Sequence, residues 1–305
     1  MVSGGQHGAG AMSNSKLARR FVIAVPNIWL ILFFMVPFLV VLKISLAEPR
    51  IAIPPYSPLW EWVNGDLKFN INFENYAYMW EDSLYLNAYL SSIKIAAIST
   101  MFTLLIGYPM AHYIARSPEP KRSILLLLVV LPFWTSFLLR VYAWIGILKT
   151  KGILNEVLLW AGIIDEPLII MQTDVAVYIG IVYTYLPFLI LPLYANLVKL
   201  DDTLLEASRD LGASRISSFF RITLPLSMPG IIAGSMLVFI PVLGEYVIPA
   251  LLGGPDTLMI GKVLWTEYFG NRDWPVASAV AIVMLTIMLI PIMILRRAQS
   301  KGAEI

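Results

Sequence analysis

The chain has 305 residues, 58% of them hydrophobic and only 14% charged, with a formal net charge of +2 and no cysteine. Soluble domains carry about 25% charged residues, so the composition excludes an ordinary globular domain and points to a membrane. The missing thiols exclude a disulfide framework, thiolate catalysis and cysteine-ligated metal.

In chain order, residues 1–20 read as a cytoplasmic tail, with the Gly- and Ser-rich stretch 1–15 expected to be disordered. Six apolar runs follow, at 21–42, 93–115, 123–148, 175–198, 229–252 and 275–295. Each is close to the length of about 20 residues that crosses a bilayer core. Each is expected to be helical, because a spanning segment must satisfy its own backbone polar groups where water is absent. Prolines 26, 37, 109, 132, 187, 192, 241 and 249 fall inside these runs, which membrane helices tolerate when neighbours re-satisfy the freed carbonyls. The first run follows Lys16, Arg19 and Arg20, and Ser45-Leu46-Ala47 could pass for a cleavage site. The run is longer than the h-region of a signal peptide, so an uncleaved first helix is expected. The loop 47–90 contains Ile53-Pro54-Pro55-Tyr56-Ser57-Pro58 and then Trp60, Trp62, Tyr76, Tyr78 and Trp80. Its aromatics suit an interfacial belt, with a lateral helix near 73–82.

Charge placement sets the expected orientation. With the N-terminus inside, the cytoplasmic segments 1–20, 116–122, 199–228 and 296–305 hold 13 of the 22 Lys/Arg, against 7 in the outer segments. Basic residues are retained on the cytoplasmic side. The expected molecule is an all-α polytopic membrane protein, N-in and C-in, with a transmembrane domain over 21–297 and a short tail at 298–305.

The polar island 199–228 carries the most specific signal. Asp201 or Asp202 can cap a helix over Thr203–Leu211, and Gly212 sits where a left-handed stop is needed. Ser214 can cap a second short helix, Arg215–Arg221, before Pro225 opens the next span. Helical spacing puts Leu204, Ala207, Ser208 and Leu211 on one face and Glu206, Arg209 and Asp210 on the other. Glu206-Ala207-Ser208, then Gly212, then Ile222-x-Leu224-Pro225, resembles the cytoplasmic loop of permease subunits of ATP-binding-cassette importers, with Ser208 where that family usually has Ala. The resemblance implies a type I importer permease fold of six transmembrane helices. It also implies that Glu206, Ala207, Ser208, Gly212, Leu224 and Pro225 couple to a dimeric cytosolic ATP-binding subunit. No G-x-x-x-x-G-K-[ST] run is present, so no cofactor is expected here and ATP belongs to the partner.

The resemblance extends over 20–297. Trp134-Thr135-Ser136-Phe137-Leu138-Leu139-Arg140-Val141-Tyr142-Ala143-Trp144, Gly244-Glu245-Tyr246-Val247-Ile248-Pro249, Leu251-Leu252-Gly253-Gly254-Pro255 and Asn271-Arg272-Asp273-Trp274-Pro275 are similar to motifs of spermidine/putrescine permeases, most of all the putrescine-type subunit. That likeness implies a bacterial inner membrane location, a second homologous permease subunit, a periplasmic substrate-binding protein and no nucleic acid.

A flexible polycation needs carboxylates for its ammonium groups and aromatic faces for charge and methylenes. Glu245 lies in an apolar run, where a carboxylate is by default a functional candidate. Tyr246, Trp134, Tyr183 and Tyr185 can supply aromatic faces, and Asp174 stands at the outer mouth of the fourth span. Glu245 has a structural alternative, an ion pair with Arg140. Lys43 and Lys94 are expected to snorkel, and His112 to be structural. An intramembrane enzyme is disfavoured, since the only histidines are His7 and His112 and no metal-ligand cluster is visible. A stand-alone ion-coupled transporter is the remaining alternative, although no internal duplication of the kind such proteins often show is present.

Overall fold

Without water to bond them, backbone amides must find partners within their own segment, and the chain answers almost wholly with helix. The computed structural model describes residues 21–63 and 66–302. The expected disorder of 1–15, the rest of the first tail and the last residues of the second lie outside the described residues. Among the described residues five helices are long and apolar enough to cross a membrane. They are α1 (Phe21–Ser45), α3 (Ser83–Ala115), α7 (Asp174–Leu197), α9 (Arg215–Leu243) and the first part of α12, Trp274–Met293. A bent pair, α4 (Lys121–Trp134) and the stretch Phe137–Trp160 made of α5 (Phe137–Leu148) and α6 (Ile153–Trp160), brings the number to six when it is counted as one broken span.

Two compact units divide the chain, one comprising residues up to Tyr78 with Arg272–Ile282, the other Met79–Asn271 and Val283 onward. In the first unit, α1 exposes apolar side chains along most of its length, from Phe21 to Val40, as a lipid-facing helix does. Its C-terminal end is fastened by α2 (Glu74–Glu81). The buried Asn75 amide donates to the carbonyls of Ser45 and Ala47 at 2.9 and 2.8 Å, and Ser45 Oγ lies 2.7 Å from the Tyr76 hydroxyl. Antiparallel strands β1 (Trp60–Val63) and β2 (Asp66–Phe69) make a hairpin in the same loop. Lys43 Nζ sits 5.2 Å from the centre of the Trp60 ring.

In the second unit α3, α7 and α9 pack into one core around Ile95, Ala111, Ile181, Leu189, Ile190, Leu193, Val238 and Val242. Small residues let membrane helices approach closely. A Cβ at Gly234 would lie 2.9 Å from the Leu189 carbonyl oxygen. Tyr108 of α3 and Ser227 of α9 share a buried hydrogen bond of 3.0 Å.

Two expected spans need correction. The run 123–148 is not one helix: α4 and α5 meet at 92°. Thr135 and Ser136 are extended (ψ 152° and 136°), with Pro132 in a 3₁₀ turn just before them. The run 229–252 is also interrupted. α9 stops at Leu243 and a separate short helix, α10 (Val247–Leu252), follows. The start of that span is earlier than expected, since helix runs from Arg215 through a π-turn at Phe219–Thr223 to Leu243. The helix over Arg215–Arg221 is therefore the base of α9, not a separate piece. The remaining spans match their runs to within a few residues, except that α3 begins ten residues earlier, at Ser83, capped by Asp82.

Gly234→Val should force its side chain into the Leu189 backbone, and overpacking of this kind costs about 1–3 kcal/mol. A thermal melt in detergent is expected to show a lower Tm; an unchanged Tm would mean that α7 and α9 do not touch there.

Candidate functional site: an open cavity and an exposed helical knob

Two places concentrate polar side chains that the apolar runs alone do not require. The first is where α9 ends. Gly244 caps α9 and α10 begins at Val247, so the first amides of α10 lack helical partners. The Glu245 carboxylate takes them: Oε1 accepts from the Val247 N–H at 2.9 Å and, more weakly, from Ile248 at 3.4 Å. Its Oε2 accepts from the Tyr185 hydroxyl at 2.5 Å. Glu245 keeps 9% of its surface exposed. Tyr185 stands near the middle of α7, which places the carboxylate inside the span and not at its mouth.

Glu245 and Tyr185 line a cavity of about 910 Å³ with Arg140, Thr184, Phe133, Phe137, Phe188 and residues of α9 such as Leu237 and Pro241. The ion pair with Arg140 that stood as the structural alternative for Glu245 is not formed: among the described residues the ion pairs involve other side chains. Glu245 is instead satisfied by backbone and a phenol. The Arg140 guanidinium lies 5.7 Å and 5.9 Å from the Phe133 and Phe137 rings.

The other sequence-chosen residues go elsewhere. Trp134 is 74% exposed at the α4–α5 bend. Tyr183 packs edge-on against Trp144 at 5.4 Å and lines a separate apolar cavity of about 320 Å³. Asp174 accepts a hydrogen bond from Thr257 at 2.7 Å. Tyr246 stacks on Trp265 at 4.4 Å, which in turn meets Phe269 at 4.2 Å. The cavity's own aromatics, Phe133, Phe137 and Phe188, escaped sequence reasoning. Only Phe137 lay in a quoted motif, and nothing local distinguishes a cavity phenylalanine from a packing one.

The second place is the 199–228 loop. α8 runs Asp202–Asp210, its N-cap Asp201 accepting from the Thr203 N–H at 3.0 Å. That bond holds the Asp201 carboxyl below its ordinary pKa. Gly212 has φ +81°, the left-handed stop the sequence requires. Ser214 then accepts from the Ser217 N–H and α9 begins. Ser208 is buried, its hydroxyl 2.7 Å from that of Ser218, so the hydroxyl fastens α8 to α9. An ion pair between Arg116, at the end of α3, and Asp202 fixes the other end. Together with His112, Glu206, Arg209 and Arg215 these groups surround a cavity of about 480 Å³. His112 packs against Tyr108 and Phe219, its buried Nδ1 unbonded.

The apolar face of α8 is not the expected one. Ser208 and, partly, Leu205 turn inward, while Leu204, Ala207 and Leu211 are exposed, Leu211 to 88%. Ile216 and Phe220 at the base of α9 are exposed too, at 72% and 60%. Leu224 and Pro225 lie within α9, where the loop joins the span.

This architecture is that of a transporter permease of the type I importer class. The chain superposes on a crystal structure of a bacterial ABC transporter involved in the import of the acidic polysaccharide alginate. The TM-score is 0.66 at 16% identity, over 94% of this chain and 99% of that one. It superposes also on a bacterial alginate ABC transporter in complex with its alginate pentasaccharide-bound periplasmic protein, with TM-score 0.69 at 15% identity over 95% and 96%. Residues 15–303 match the family of binding-protein-dependent transport system inner membrane components, and the chain belongs to that family. Among its relatives is the spermidine/putrescine transport system permease protein PotB of Salmonella typhimurium strain LT2, 41% identical over 287 residues, 94% of this chain and 96% of that protein. PotB of Escherichia coli K12 is 41% identical over 88% of this chain and 94% of its own length. The inner membrane ABC transporter permease protein YdcU of the same strain is 30% identical over 68% and 70%. The chain is thus a multi-pass inner-membrane permease component of an ABC import system and not an enzyme, which removes the stand-alone transporter.

Ser208→Ala removes the Oγ–Oγ bond, and a hydrogen bond of this kind contributes about 0.5–1.5 kcal/mol. Hydrogen exchange of the 203–210 amides should speed up several-fold with the spans unaffected; unchanged exchange would mean that the hydroxyl does not hold α8.

Proposed function

We propose that this chain forms one half of the translocation path of an ATP-driven polyamine importer, with putrescine or spermidine as cargo. The 202–221 knob seats a dimeric cytosolic ATP-binding subunit, a second homologous permease supplies the facing half, and a periplasmic binding protein delivers the substrate. The observation that carries this reading is the likeness to PotB over nearly the full length, together with a buried carboxylate on an aromatic-walled cavity.

The chemistry supports the cargo. Each end of a polyamine is a primary ammonium with three donors, separated from the next by apolar methylenes. Glu245 has lone pairs left beyond those used by Tyr185 and the α10 amides, and it carries the charge an ammonium needs. Phe133, Phe137, Phe188 and Tyr185 offer faces for cation–π and methylene contact. Of the remaining sequence-chosen residues, Trp134, Tyr183, Tyr246 and Asp174 do not line this cavity and are set aside from the path; Arg140 stays on its wall.

Coupling is mechanical. α8 is welded to α3 by Arg116–Asp202 and to α9 by Ser208–Ser218. A displacement of the knob therefore moves two spans as rigid levers, the interface-rotation type of transition. Leu204, Ala207 and Leu211, rimmed by Glu206 and Arg209, form the surface offered to the motor, and Gly212 gives the turn that holds it out.

Two variants test the two halves of the proposal. Glu206→Lys should reduce copurified ATPase and abolish ATP-dependent uptake while leaving the chain in the membrane; undiminished uptake would count against the coupling role. Glu245→Gln keeps an acceptor for the α10 amides but loses the charge. It is expected to lower putrescine or spermidine uptake at least tenfold with assembly intact, as measured with labelled amines in cells; full uptake would remove Glu245 from the path.

A further inference from the structure

Behind the cavity that holds Glu245 lies the smaller one, of about 320 Å³, whose chemistry is different. On α7 its lining residues are Tyr183, Leu186, Pro187 and Ile190, an i, i+3, i+4, i+7 stripe along one helix face. Thr184, Tyr185 and Phe188, which line the cavity of Glu245, fall on the opposite face. α7 therefore separates the two, and the smaller one is a groove turned away from the path. α3 and α4 make its other walls, through residues that include Met110, Tyr113 and Leu128, all three exposed. No lining residue carries a charge, so a polycation finds no counter-charge there.

The groove has one polar end. The α3–α4 turn lies on the cytoplasmic side, where the basic segments are retained. At this lip the exposed Lys121 ammonium donates to the Tyr113 hydroxyl and lies 4.9 Å from the centre of that ring. An ammonium has three donors, and the others point to no acidic group of this chain. Arg116 is paired with Asp202 and Arg122 with Glu119, whereas Lys121 has no carboxylate partner among the described residues. From Lys121, the first residue of α4, to Pro132 in the groove wall is about 16 Å of helix. Half of a bilayer's hydrocarbon core is about 15 Å, so the groove is as deep as one leaflet.

We infer that this groove holds an acyl chain of an anionic phospholipid of the inner leaflet, with Lys121 on its phosphate. An apolar slot of that depth, with an unpaired cation at headgroup level, matches such a molecule end to end, and basic groups between spans on the cytoplasmic side bind anionic headgroups. The headgroup ammonium of a zwitterionic lipid would be repelled by Lys121. Pro132 and Pro187 line the groove while Phe133 and Phe188, the next residues, line the cavity, so the lipid lies directly behind the aromatic wall. The inference rests on the orientation of the chain in the membrane and not on the identity of the cargo.

The test uses the complete importer, purified through an affinity tag on this chain and reconstituted in phosphatidylcholine vesicles. A trace of phosphatidylglycerol or of phosphatidylethanolamine carries a photoreactive group on its acyl chain, and the adducts are mapped by peptide mass spectrometry. Peptides covering 110–114, 125–132 and 183–190 should be labelled about fivefold more by phosphatidylglycerol, the factor that one lysine gives near an anionic headgroup. Lys121→Gln should abolish that preference with labelling by phosphatidylethanolamine unchanged, and Lys121→Arg should keep it. Equal labelling of the wild type by the two lipids, or the same preference in Lys121→Gln, would overturn the proposal. So would groove peptides free of both lipids while α1 is labelled, because protein would then cover the groove.

Discussion

Glu245 sits where the chain breaks its own helix inside the membrane, and much of the second unit follows from how that break is satisfied. Ending α9 at Leu243 and restarting at Val247 frees backbone amides at a depth where such groups must be satisfied by protein or by a water-filled cavity. A carboxylate at position 245 accepts from those amides, and its negative charge also suits the positive end of α10. The Tyr185 hydroxyl then ties the same carboxylate to α7. Structural need and functional opportunity coincide here: the group that repairs the helix break also leaves a negative charge on the wall of a large cavity.

The same division of labour appears at the other end of α9. The knob is rigid because its inward contacts are polar and specific, Ser208 to Ser218 and Arg116 to Asp202, and it is sticky because its outward face is apolar. A soluble loop would bury Leu204 and Leu211. Here they are left outside. One helix, α9, joins the base of the knob at Arg215 to the cavity wall at residues 233–241.

Much of this was legible in the sequence, and the reasons for the exceptions are physical. Apolar run length gave the spans because the bilayer imposes one length on every crossing segment. Gly212 and the Asp201 cap were legible because capping is a local affair of a few residues. The bend at Thr135–Ser136 and the break at Gly244–Tyr246 were not, because an apolar run looks alike whether it is one helix or two; the prolines that flag such sites are also tolerated in straight membrane helices. Helical spacing put Leu204, Ala207, Ser208 and Leu211 on one face without saying which way it turns; only Ser208 turns inward, because α8 is held by hydroxyls and an ion pair. The choice between substrate contact and an Arg140 pair for Glu245 stayed open for a related reason: the sequence shows two charges in apolar runs but not the backbone amides that bond one of them. The cavity phenylalanines come from α4, α5 and α7, and their meeting is a long-range fact.

For the exposed face of α8 to meet a motor it must lie in the cytoplasm, and the absence of native cysteines allows this to be measured in one experiment. With Leu211→Cys as the sole thiol, a membrane-impermeant maleimide should label inverted membrane vesicles and not intact spheroplasts, and bound ATPase subunit should protect the site. Labelling from the outside of intact spheroplasts would put the knob on the wrong face of the membrane and contradict the coupling mechanism at its root.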